Sequence, residues 1–288
     1  MVIRCPHWAL WGAALMVGVG VGAVDADGLT AAIETDAGGV PTAAGRPAWQ
    51  AAAATTSSAM PAARTRISEA YTTASRAGSR DTLVMREEAQ RIDGRLEGTL
   101  RIPDSEPRAI VVIAHPLPTH GGEMRNPLVA TIARACAERG WYALRFNFRS
   151  VGRSEGAWTG GREEAEDIGA AVTHARGIAP TLPIGLVGYS FGALMALRWL
   201  SSGGDVAALG LVGLPLRSVT GRDNDLAPVP DGTFIVAAER DQFGTAAALR
   251  ERFPRARIAE VRGTDHFFVG RRDEMARLVT DELARTLG

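Results

Sequence analysis

From residue 96 onward, short apolar runs alternate with amphipathic stretches. Leu96–Ile102 alternates Leu, Gly, Leu and Ile with polar residues and predicts an edge strand. Ala109–Ala114 (AIVVIA) is continuously apolar, as a strand buried on both faces of a parallel sheet would be. Residues 127–139 predict a helix with Leu128, Ile132 and Cys136 on one stripe, and residues 141–148 another strand. Residues 162–176 read as an amphipathic helix whose acidic start suits its positive N-terminus. Residues 184–188 form a short buried strand, and residues 191–200, apolar nearly all round, a buried helix. Strands at 206–212, 233–238 and 257–261 follow, with helices at 242–252 and 273–287. Strands alternating with helices imply a mostly parallel sheet with helices on both faces. In such sheets the chemistry sits beyond the carboxyl ends of the strands, so the loops that follow strands carry the candidates.

The first 84 residues lack this pattern. They hold 12 charged residues, against 52 in the remaining 204. Residues 27–84 are rich in Ala, Thr, Ser and Gly and have few large apolar side chains. A stretch of that composition buries too little surface to offset its ordering entropy and is expected to be disordered. Ahead of it, residues 1–26 hold a short Gly-diluted apolar run after Arg4, ending at Val24-Asp25-Ala26. That resembles a cleaved signal peptide more than a membrane span. A second reading takes Met85 as the true start and the leader as a mis-assigned upstream extension. The first places the protein in the periplasm or outside the cell. The second, slightly preferred, places it in the cytoplasm. Residues 85–288 are the expected single folded domain.

Charge and composition narrow the function. The 32 basic residues balance 32 acidic ones, and every one of the 32 is Arg. The absence of Lys removes mechanisms built on a Lys amine, such as Schiff-base chemistry. Neutrality without an Arg-dense run argues against a nucleic-acid or anionic-membrane partner. Two Cys, Cys5 and Cys136, supply neither a disulfide framework nor a zinc site. No cofactor is expected.

G-x-S-x-G occurs twice, around Ser154 and around Ser190. A nucleophile elbow needs a strand running into the motif and a helix leaving it. PIGLVGYSFGALMALRWL gives Ser190 that context, whereas Ser154 precedes AWTGG, which starts no helix. Ser190 is therefore the candidate nucleophile and Ser154 a loop residue. A serine hydroxyl needs a base held by an acid, in the chain order Ser, acid, His. His266 is the only His downstream of Ser190 and follows the last strand. Asp241, in the loop after the strand at 233–238, is the candidate acid, with a helix N-cap as its bland alternative. Glu239 lies close to the strand end, where Arg240 is a partner. Asp265 adjoins His266, but successive side chains diverge. An oxyanion needs backbone donors. Phe191, after the nucleophile, is one. In the loop HPLPTHGG (115–122) Pro116 and Pro118 lack an N–H, which leaves Leu117 between them as the other. His115 and His120 have no acidic or Cys partner at metal spacing, so they are read as loop-ordering. Arg145, Arg149 and Arg153 are expected to pair with Glu155 and nearby acids, and Trp158 is a candidate pocket wall.

HPLPTHGG (115–122), RFNFRSVGRS (145–154) and GYSFG (188–192) together resemble the small lid-less bacterial serine α/β-hydrolases. The resemblance covers about 200 residues and excludes the leader. This chain has Leu117 where that family often has a second His. The resemblance implies an α/β-hydrolase fold and carboxylic-ester hydrolysis on a small-molecule ester. It also assigns GRSEG to the loop after the fourth strand. Only about 20 residues separate the strands ending at 212 and starting at 233, which predicts minimal or no lid and an open site. A serine peptidase of prolyl or dipeptidyl type and a catalytically silent ligand-binding scaffold are the competing expectations.

Overall fold

The computed structural model describes residues 86–288. The expectations for residues 1–26, for 27–84 and for Met85 as a start lie outside the described residues. Eight strands form one sheet: β1 (Arg86–Ile92), β2 (Leu96–Ile102), β3 (Ala109–Ala114), β4 (Trp141–Phe146), β5 (Ile184–Tyr189), β6 (Ala208–Val212), β7 (Phe234–Ala238) and β8 (Arg257–Val261). Their spatial order is β1-β2-β4-β3-β5-β6-β7-β8. The β1–β2 and β2–β4 pairs are antiparallel, and every other pair is parallel.

Five helices cover the two faces: α1 (Pro127–Glu138), α2 (Glu164–Ile178), α3 (Phe191–Ser201), α4 (Ala246–Arg252) and α5 (Arg272–Leu287). The period of two along β3 assigns its side chains to separate cores. Ile110 and Val112 join Ile168 of α2, Met195 of α3 and Leu249 of α4. Val111 and Ile113 join Ile132 of α1 and Val279 and Leu283 of α5. Each such side chain, fully buried, contributes about 1.5–3 kcal/mol of transfer free energy. None of these helices is long and apolar enough to cross a membrane.

Two expectations need correction. Leu96–Ile102 is not an edge strand, because β1 pairs with it from Arg86↔Ile102 to Ile92↔Leu96. β1 (REEAQRI) has almost no apolar signal and is mostly exposed, as a charged edge strand should be. Asp93 and Gly94 both take positive φ in the turn between the two strands, as a primed hairpin turn requires. The helix expected at 242–252 begins only at Ala246, where the Thr245 side chain accepts from the Ala248 N–H at 3.2 Å. Asp241 is therefore not its cap. The remaining predicted elements occur with ends shifted by at most two residues.

The connection from β6 to β7, residues 213–233, contains no helix, only an isolated bridge between Arg217 and Asp223. It is held down by Leu216 and Arg217 N–H bonds to the Phe243 carbonyl, at 2.8 and 3.0 Å. The loops after β5 and β7 consequently open onto a cleft with no helical cover from this connection.

Candidate active site

β5 runs straight into Ser190, and α3 leaves directly after it. Ser190 adopts φ 54° and ψ −114°, a strained conformation for a residue with a Cβ. The turn is held by the Ser190 N–H bond to Val212 O at 2.9 Å and by two close backbone approaches. A Cβ on Gly188 would lie 2.5 Å from the Gly192 carbonyl oxygen, and one on Gly192 would lie 2.4 Å from the Ala114 oxygen. Both motif glycines are thus required by packing, and the strain aims the Ser190 hydroxyl at the cleft.

The structure brings Ser190, His266 and Asp241 together. Ser190 Oγ lies 2.9 Å from His266 Nε2, and His266 Nδ1 lies 2.8 Å from Asp241 Oδ2. All three side chains are buried, and Ser190 lines the cleft. The other Asp241 oxygen accepts from the Phe243 N–H at 2.9 Å, which fixes the carboxylate plane. The loops after β7 and β8 are tied to each other three times. Glu239 Oε2 accepts from Gly263 N–H (2.7 Å), Arg240 N–H donates to Thr264 O (3.1 Å), and the Arg240 guanidinium donates to Gly263 O (2.9 Å). Glu239 therefore serves the backbone rather than Arg240. Asp265 turns away and accepts from Phe267 N–H.

Three contacts around His266 have no signature in the sequence. The Tyr189 hydroxyl donates to the His266 carbonyl at 3.0 Å, and burial pushes its pKa upward. The Phe243 ring meets the imidazole edge-on at 4.8 Å. Gly213, at φ 54°, lets the imidazole approach where a Cβ would come within 3.1 Å of it.

Phe191 is the first residue of α3, so its N–H has no intrahelical acceptor. Leu117 lies across the cleft, and its carbonyl accepts from His120 and Gly122 N–H at 3.1 and 3.0 Å. Among the described residues, no acceptor takes the Leu117 N–H. His115 anchors this loop from below. Its Nδ1–H donates to Pro116 O at 2.7 Å and its Nε2 accepts from Phe148 N–H at 3.1 Å, so its tautomer is fixed. Burial lowers its pKa from the usual 6.5 to about 4. The unfolded chain therefore takes up a proton below about pH 6.5 that the folded chain refuses until about pH 4. Stability from this group is full above the upper value and falls as the pH drops toward the lower one, by on the order of 3 kcal/mol in all. Urea unfolding at pH 7.0 and 4.5 should show a smaller acid loss for His115→Gln than for the unaltered protein. Equal losses would exclude His115 as the cause.

Ser154 is a buried structural residue: its Oγ accepts from Glu97 N–H at 2.9 Å and donates to Asn147 O at 2.7 Å. The arginine expectations change in detail. Arg145 pairs with Glu87, and Arg149 is buried on Asp167 with Glu163 and Glu166 beside it. Arg91, not Arg153, takes Glu155. The cleft itself has a volume of about 310 Å³. Trp158 forms one wall and packs against Phe191 at 5.2 Å, with Met195 and Arg198 of α3 beyond it and Pro215 and Val219 opposite. No cluster among the described residues has the His, Cys, Asp and Glu groups to hold a metal ion.

Comparison with known proteins agrees with the fold. A family model described as an alpha/beta hydrolase domain matches residues 107–285. An uncharacterized protein of Rickettsia prowazekii is 28% identical over 202 residues, which are 66% of this chain and 85% of that protein. An alpha-beta serine hydrolase homologue from Coxiella burnetii is 29% identical, covering 69% of this chain and 97% of that one with a TM-score of 0.59. A serine hydrolase without a lid from Xanthomonas campestris is 27% identical, covering 69% and 94% with a TM-score of 0.61. The family match spans β3 to α5, and with it the elbow, the open β6–β7 connection and the loops after β7 and β8: this chain belongs to the alpha/beta hydrolase family and is of its lid-less serine-hydrolase type.

Proposed function

We propose that the protein is a serine esterase acting on small-molecule carboxylic esters. The observation that carries this reading is the unbroken chain of hydrogen bonds from Ser190 Oγ through the His266 ring to Asp241, at 2.9 and 2.8 Å, with Ser190 lining an open cleft. An ionised Asp241 accepts from His266 Nδ1–H and leaves Nε2 free to accept. Ser190 Oγ attacks the ester carbonyl as its proton passes to Nε2. The oxyanion is held by the N–H groups of Phe191 and Leu117. His266 then gives the proton to the departing alkoxide, the alcohol leaves, and an acyl-Ser190 ester remains. Water, deprotonated by His266, reverses these steps and frees the acid. The reaction needs no cofactor, and neither a nucleic acid nor a membrane is a partner in it.

The cleft volume lies at the low end of ligand sites, which run from about 300 to 1,000 Å³, and nothing encloses it. Short acyl groups are therefore favoured. Across p-nitrophenyl esters from acetate to palmitate, kcat/KM is expected to peak at or below hexanoate and to fall at least ~10-fold by palmitate, since the longer chain gains little burial in a short open cleft. A folded sample that turned over no ester and took no fluorophosphonate label would overturn the esterase reading.

A further inference from the structure

α3 (FGALMALRWLS) is apolar except for Arg198 and the terminal serine, and Arg198 faces the cleft. Its Nη1 donates to Gly161 O at 2.5 Å. No carboxylate among the described residues lies within ion-pair distance of it, whereas Arg149 has three acidic partners and Arg217, also on the cleft wall, has Asp223 at 3.8 Å. The cleft is lined by two arginines and by no Asp or Glu. A half-buried guanidinium with donors to spare, in a cleft without a counter-charge, is an anion-binding arrangement, because Arg presents five donors in a planar fork that fits a carboxylate.

The position along α3 sets the reach. Arg198 is eight residues past Ser190, or ~12 Å along the helix axis, and helical side chains lean back toward the N-terminus. A few methylenes then separate the reacting carbonyl at Ser190 from a carboxylate at Arg198. The cleft between them is apolar, with Trp158, Phe191, Leu194 and Met195 along it. The Gly160–Gly161 edge is held in place by Glu164, which accepts from the Thr159 N–H and hydroxyl, both at 2.7 Å.

We propose that Arg198 forms a subsite for a carboxylate carried by the substrate, so that the preferred substrates are anionic esters such as the monoesters of short dicarboxylic acids. This rests on the esterase reading and goes further by naming the substrate class. The carboxylate can belong to the acyl part or to the alcohol part, and two pairs of esters separate these. The first pair is mono-p-nitrophenyl adipate against p-nitrophenyl hexanoate. The second is 4-carboxyphenyl hexanoate against phenyl hexanoate.

In the unaltered protein, kcat/KM is expected to favour the anionic ester in one pair after correction for intrinsic reactivity. Arg198→Met should lower that anionic-to-neutral ratio ~10- to 100-fold, the range of one charge-assisted bond. Arg198→Lys, which keeps the charge and loses the fork, should retain part of it. The ratio is internal to each variant, so a general loss of active protein cancels. A ratio near one in the unaltered protein, or one unmoved by Arg198→Met, overturns the subsite and reduces Arg198 to a tether for Gly161. Binding separates this failure from failure of the esterase reading. Ser190→Ala should bind monomethyl adipate by calorimetry, and Ser190→Ala/Arg198→Met should not. Arg198-dependent binding without turnover of any ester would sink the esterase reading alone, while turnover without preference would sink the subsite alone.

Discussion

Replacing Ser190 with Ala is expected to lower kcat/KM for p-nitrophenyl butyrate by ~10⁴- to 10⁶-fold and to abolish fluorophosphonate labelling, while leaving Tm nearly unchanged. The size of the loss follows from what remains. Without Oγ no acyl-enzyme forms, and only backbone donors and binding act on the substrate, which in triad enzymes leaves a small residual rate. The stability expectation follows from the elbow. Ser190 makes no side-chain capping bond to α3, and the turn is held instead by its N–H to Val212 O and by the packing of Gly188 and Gly192. Alanine carries the same Cβ at the same φ, so it adds no strain that serine does not already bear. Ser154→Ala in the other G-x-S-x-G should behave in the opposite way. It removes both a donor and an acceptor that join the β4 loop to β2, so it should cost about 1–3 kcal/mol of stability and leave labelling intact. A Ser190→Ala protein that kept more than about 1% of its activity would move the nucleophile elsewhere.

The contrast between the two motifs shows where the sequence was readable. β3 and β5 announce themselves because both faces are buried, so every residue is apolar or glycine. The elbow is readable for a related reason: Gly188 and Gly192 lie against backbone, and no other residue fits there. β1 has neither property. Its side chains are mostly polar, only Ile92 reaching the core, its strand pairing is made by backbone, and its clearest trace is Asp93-Gly94, a hairpin turn signal. The arginine pairs are hidden in the sequence for the same reason, because Glu87 and Arg91, the partners of Arg145 and Glu155, both lie on β1.

The catalytic candidates were legible by motif, by count and by loop position. The residues that orient them were not. Tyr189 to His266 and Glu239 to Gly263 are contacts across 77 and 24 residues of sequence, between loops with no periodicity. Arg198 left one usable trace, a single charge within an apolar helix, whose meaning depends on which side of α3 faces the cleft.

Asp241→Asn should lower kcat by ~10³- to 10⁴-fold with little change in KM or Tm, and the geometry gives the reason. The two Asp241 oxygens have separate acceptor roles, one toward Phe243 N–H and one toward His266 Nδ1. Asparagine has one acceptor and one donor end. Keeping its oxygen on the Phe243 amide turns its NH₂ toward Nδ1, so the ring must present a lone pair there and carry its proton on Nε2. The imidazole then faces Ser190 as a donor and cannot take the hydroxyl proton, the wrong-tautomer state that disables triads. Flipping the amide restores the ring but sets NH₂ against the Phe243 N–H in a buried site, leaving a clashing and unsatisfied donor. Neither orientation serves both partners, so the loss is expected although the substitution is nearly isosteric. Asp265→Asn tests the alternative directly, since Asp265 adjoins His266 in sequence but its carboxylate accepts only from Phe267 N–H. Its kcat should change by less than about 3-fold, in keeping with a surface substitution that touches no reacting group. Steady-state kinetics on both variants decides between the two carboxylates, and a large loss in Asp265→Asn with none in Asp241→Asn would reassign the orienting acid.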